Sequence, residues 1–119
     1  MTELDLDDRR QAYLALRAVL HALRDRLTVE EVTQLGAQLP MLVRGFYYEG
    51  WTLRAKPVKW HKAEFLAHIR QEFPLADELD PESVVRVVFE VLAGRVSAGE
   101  INDVKHCLPK ELRALWPFE

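Results

Sequence analysis

His61, Glu64 and His68 are the residues whose types look most like metal ligands. Spaced i, i+3 and i+7, they fall near one face of a helix. The two histidines are two turns apart, roughly 10 Å along the axis, whereas a single zinc needs each ligand at about 2 Å. The spacing therefore predicts a solvated helix face with a local Glu64–His68 contact, and no metal is expected there. Cys107 beside His106 is the second candidate, for thiolate chemistry. A catalytic thiol needs a base held against the sulfur. Adjacent helical residues point about 100° apart, so Cys107 reads as a small half-buried thiol.

The strongest candidate surface is the segment 51–62, "WTLRAKPVKWHK". It contains no acid. Trp51, Arg54, Lys56, Lys59, Trp60 and Lys62 interleave aromatic and basic groups, with Phe46, Tyr47 and Tyr48 just before. Such a set can grip a protein partner, where Trp, Tyr and Arg concentrate binding energy. It can also hold phosphates and stack on bases. The simplest reading is structural: the aromatics plug a gap and the lysines keep a long loop hydrated. Arginines recur as Arg17/Arg86, Arg26/Arg95 and Arg44/Arg113. Arg86 is placed to pair with Glu90 at i, i+4, and Arg26 and Arg95 suit helix C-termini. A convergent pair could instead clamp an anion. A helix-turn-helix reading of residues 28–48 fails, because "PMLVRGFYY" offers one basic residue and is otherwise apolar; a groove-reading helix needs polar and basic side chains.

The elements that carry these residues are all helical. Ala12, Tyr13, Leu16, Val19, Leu20, Leu23 and Leu27 share one face of a helix over about 7–26. Arg17, His21, Arg24 and Asp25 lie off that face, while Leu14, Ala15, Ala18 and Ala22 form a second face on which another helix can approach. Thr28-Val29-Glu30-Glu31 has the form of a capping box, with the Glu31 carboxylate expected to reach back to the Thr28 amide. Leu27 and Val32 supply the staple. A second helix runs to about Gln38, and Pro40 opens a third. A fourth spans about 61–72. Asp80 caps a fifth, "ESVVRVVFEVLAG", with Gly94 as its stop.

The arrangement then repeats. Residues 17–47 align with 86–116 at a constant offset of 69, with 8 identities in 31 positions. Thr28, Glu31, Leu27 and Val32 return as Ser97, Glu100, Val96 and Ile101. Each unit would leave an apolar face open alone, so two should pack together. The expectation is an all-α single domain of about seven helices, built from two degenerate three-helix repeats with pseudo-two-fold symmetry. Unit one covers about 7–50, a loop and connecting helix about 51–79, and unit two about 80–117.

"LPMLVRGFYYEGW" followed by "VFEVLAGRVSAGEINDVKHCLPKELRALWP" resembles the bacterial domain of unknown function 2267, over about Arg10 to Pro117. The resemblance implies a helical fold. It implies no activity and transfers no catalytic residue.

Composition bounds the rest. The chain has 119 residues, 49% of them hydrophobic, and a net charge of −3, which suits one domain and gives no general nucleic-acid footprint. One cysteine permits no internal disulfide. No apolar run approaches the roughly 18 residues of a membrane span, and the acidic start "MTELDLDD" is unlike a signal peptide. The reading is a small cytoplasmic interaction or accessory module with an unknown protein partner, free to form a homo-oligomer. The alternative is a phosphate-bearing or nucleic-acid ligand on the 51–62 loop. No cofactor, metal or catalytic residue is expected, since no nucleophile–base pair, ligand cluster or glycine-rich phosphate loop is present.

Overall fold

The computed structural model describes residues 3–52, 58–72 and 80–117, with side chains from Arg10 onward. Among these residues there are seven helices and no strand: α1 Glu3–Arg26, α2 Val29–Ala37, α3 Met41–Tyr47, α4 Lys62–Glu72, α5 Pro81–Arg95, α6 Ala98–His106 and α7 Lys110–Arg113. The all-α single domain follows.

Local sequence signals set most of these bounds. The Thr28 hydroxyl accepts from the Glu31 amide at 3.2 Å and the Ser97 hydroxyl accepts from the Glu100 amide at 3.2 Å. Asp80 accepts from the Glu82 amide at 3.3 Å, with Pro81 in the first turn of α5. Pro40 and Pro109 stand at the N-caps of α3 and α7, where a missing N–H costs nothing. Losing the Thr28 hydroxyl removes one partner of an otherwise orphaned donor. Thr28→Ala is expected to destabilise the protein by about 1 kcal/mol in chemical denaturation; an unchanged midpoint would contradict the cap.

Two local expectations are corrected. The helix α5 runs through Gly94 and ends at Arg95, because Val96 turns extended and buries its side chain ahead of the Ser97 cap. The capping boxes are also only half closed. The amide of Ser97 is taken by Gln38 Oε1 at 2.8 Å, and Gln38 Nε2 returns a bond to Ser97 Oγ at 3.1 Å. Neither the Glu31 nor the Glu100 carboxylate reaches back to the amide of its cap residue, and each keeps a buried oxygen without a partner.

The long helix α1 packs against α3, α4 and α5, while α2 packs against α3 and α6 and α5 against α4 and α6. One apolar core joins all seven helices. Residues paired by the 69-residue offset bury together: Leu20 and Phe89, Leu23 and Leu92, Val32 and Ile101, Leu35 and Val104, Tyr47 and Trp116. Starts coincide at the same offset, Val29 with Ala98 and Met41 with Lys110. After α3 the chain adds α4, which sends Phe65 and Ile69 into the core; no described helix follows α7.

Candidate functional site

The 51–62 segment is anchored at several points. The Val58 amide donates to Asp25 O at 2.8 Å and Arg26 Nε donates to Trp60 O at 3.1 Å, tying the segment to the end of α1. Trp51 and Trp60 are half-buried and pack on the core. Trp51 lies 5.6 Å from the Tyr48 ring, and Trp60 lies 4.5 Å from His68. Lys62 pairs with Glu82 across to α5, and the Lys62 amide donates to Glu111 at 2.9 Å. Those contacts hold both Glu82 and Glu111 below the usual carboxylate range, through the Lys62 side chain and the Lys62 amide respectively. Lys59 is exposed. Arg54 and Lys56 lie outside the described residues.

The histidines of α4 go separate ways. Glu64 accepts from the His61 amide at 3.2 Å, and the His61 ring pairs with Glu111 at 3.0 Å. The expected Glu64–His68 contact is replaced by His68–Glu72 at 3.5 Å, since Glu64 is held at the start of its own helix. His106 turns back to Asn102 O at 2.8 Å, away from Cys107. Burial pushes the Cys107 thiol up, which opposes thiolate formation.

The repeated arginines reach different targets. Arg17 pairs with Glu49 and Glu72. Arg86 pairs with Glu82 at 3.3 Å, one turn back, in place of Glu90; this orientation lets the guanidinium also donate to Ala114 O. Arg44 donates to the carbonyls of Gly36, Ala37 and Leu39 and closes the C-terminus of α2.

Two residues assigned off the apolar face of α1 are buried. Arg24 donates to Tyr47 O at 2.8 Å and Glu49 O at 2.6 Å, and pairs with Asp25. His21 bridges Glu72 and Phe46 O. Arg24 thus binds two carbonyls at and just past the end of α3, and His21 adds to the local turn bond on Phe46 O, with a cation where the helix dipole favours one. The hollow beside them, about 370 Å³, is lined by Arg17, His21, Arg24, Asp25, Glu49, Gly50, His68 and Glu72. Every charged member pairs with another member. This is internal bracing, with its acids and bases already committed to each other.

Two features with no explicit sequence motif remain. Glu31 and Glu100 are 8% and 7% exposed, and Glu31 Oε1 and Glu100 Oε2 are buried without a hydrogen-bond partner. Burial, and then the facing Glu31, push the Glu100 carboxyl up to about 8. Asp103 lies beside them. Recurrence of the glutamate at 31 and 100 was the one legible signal. The second feature is a hollow of about 460 Å³ between α1 and α5, including Ala12, Ala15 and Leu16 on one wall and Val84, Val87 and Val91 on the other.

With the helices and these surfaces placed, relatives can be compared. Residues 1–115 match the family described as uncharacterized conserved protein (DUF2267). The chain belongs to the DUF2267 family. Among curated proteins none matches it. None of its described helices is long and apolar enough to cross a membrane.

Proposed function

We propose that this DUF2267 protein is a protein-interaction module that receives a partner helix on the apolar face between α1 and α5. One observation carries the reading. Ala18 and Ala22 of α1 are 1% and 0% exposed, whereas their counterparts at the 69-residue offset, Val87 and Val91 of α5, are 60% and 51% exposed. In unit one a further helix, α4, packs on α1. In unit two the same face, now carrying larger apolar side chains, is open. A partner helix with large apolar residues at i and i+4, as Phe65 and Ile69 are spaced on α4, would complete it. Helix-in-groove docking buries just such anchors, and the valine wall supplies the apolar area that drives it.

A cytoplasmic setting belongs to this reading, and the single thiol at Cys107 suits it. The loop reading, a phosphate-bearing or nucleic-acid ligand held by Arg54, Lys56, Lys59 and Lys62, is less favoured. Lys62 is already paired with Glu82, and Trp51 and Trp60 pack on the core rather than standing free to stack.

A photo-reactive side chain at Val91 tests the proposal in cells, with one at exposed Thr33 of α2 as control. An adduct is expected from position 91 and not from 33, and its cross-linked segment should carry large apolar residues at i and i+4. Adding Val87→Glu should abolish the adduct while changing stability by no more than about 0.5 kcal/mol, as for other exposed positions. Equal adducts at both positions, or a polar cross-linked segment, would overturn the reading.

A further inference from the structure

The contact between α2 and α6 carries two glutamates that no helix cap uses. Glu31 and Glu100 occupy equivalent positions in the two units and are both more than nine-tenths buried. The amide that Glu100 would have capped, that of Ser97, is occupied by Gln38. One oxygen from each of Glu31, Glu100 and exposed Asp103 lies within 4.8 Å of the other two. Glu31 Oε1 and Glu100 Oε2 have no donor. The charged neighbours acting on Glu100, namely Glu31 and Asp103, are both acidic. Carboxylates buried in this way are costly unless a positive charge neutralises them.

We propose that Glu31, Glu100 and Asp103 form a divalent-cation site that clamps α2 to α6. The donor set is all oxygen, which selects hard cations such as calcium, magnesium or manganese over zinc. Calcium–oxygen bonds run about 2.3–2.6 Å, so oxygens on opposite sides of one ion stand roughly 4.6–5.2 Å apart. The observed spread fits around a single ion of that kind. Exposed Asp103 places the site at the surface, where water can complete the coordination. Both glutamates come from first turns of helices that belong to different units, so the ion would bind only when the two units are docked. It would stabilise that docking by mass action.

The test uses the whole chain, stripped with a chelator and then titrated separately with calcium, magnesium and manganese chlorides. Calorimetry should show one ion per chain for at least one metal. The thermal midpoint should rise by several degrees at an ion concentration a hundred times the dissociation constant. Asp103→Asn, at an exposed position, should fold normally and weaken binding at least tenfold. Glu100→Gln should abolish it, while Glu90→Gln on the exposed face of α5 should leave it unchanged. No heat and no midpoint shift with any of the three ions up to 10 mM would overturn the proposal. So would binding that survives Asp103→Asn, which would be general screening of surface acids.

Discussion

Tyr47→Ala is expected to lower the free energy of unfolding by about 3–5 kcal/mol, the range for deleting a large buried aromatic. Tyr47 ends α3, is fully buried, and donates its hydroxyl to Val32 O of α2 at 2.8 Å. Its ring stands edge-on to Tyr48 at 5.0 Å. It also lines the close approach of α3 to α2 at Gly36, where an added Cβ would lie 3.1 Å from the Tyr47 ring. Truncation leaves a cavity between two helices and removes the hydrogen bond that sets their register. Domains of this size are stable by roughly 5–15 kcal/mol in total, so the melting temperature should fall by about 10–20 °C. Tyr47→Phe separates the two effects. It keeps the ring and loses one hydrogen bond, for about 1 kcal/mol. Burial pushes the phenol well above its usual range, so the hydroxyl remains a neutral donor throughout accessible pH. Denaturant titration of both variants decides; equal losses for Ala and Phe would refute the packing role.

In chelating buffer the protein is expected to lose stability as pH rises from about 6 to 8. Burial and the facing Glu31 push the Glu100 carboxyl up to about 8 in the fold, from its ordinary 4.5. Below 4.5 both folded and unfolded chains carry the proton, and its stabilising contribution is fully present. Between the two values the unfolded chain has released a proton that the fold retains, so stability falls by up to about 1.4 kcal/mol per pH unit. Above about 8 the loss is complete. Glu82 and Glu111, both shifted down, act in the opposite sense and at the acid end: their contribution is present above 4.5 and lost on acidification. Glu100→Gln keeps the shape and the neutral form. It should flatten the profile between 6 and 8 and leave the variant more stable than the parent at pH 8. A parent profile already flat in that window, or one that Glu100→Gln merely displaces, would contradict the buried pair.

The sequence was legible wherever the physics is local. Thr28, Ser97 and Asp80 each satisfy an amide within three residues, and Pro40, Pro81 and Pro109 fix φ at a helix start. The 3.6-residue recurrence of apolar positions marks the inner face of each helix. These signals placed the seven helices and the start of nearly every one. The match of Leu23 to Leu92 and Tyr47 to Trp116 likewise pointed to the residues that bury together.

Partners across helices were not legible in the same way. The α1 pattern sets Arg24 and His21 off its apolar stripe and says nothing of what covers them; the C-terminus of α3 lies over them and supplies the carbonyls they bind. The basic aromatic segment left two readings open, a structural plug and a binding surface, because only the positions of α1 and α5 decide that Trp60 and Lys62 make internal contacts. Glu31 and Glu100 fit capping boxes by every local criterion; only the packing of α2 on α6 brings Gln38 to the Ser97 amide and sets the two carboxylates beside each other. By itself the sequence determined the helices, their caps and the residues that enter the core, because each depends on neighbours within a turn or two. The tertiary structure alone decided which charges are buried and which apolar face stays open, because burial depends on the element that packs opposite.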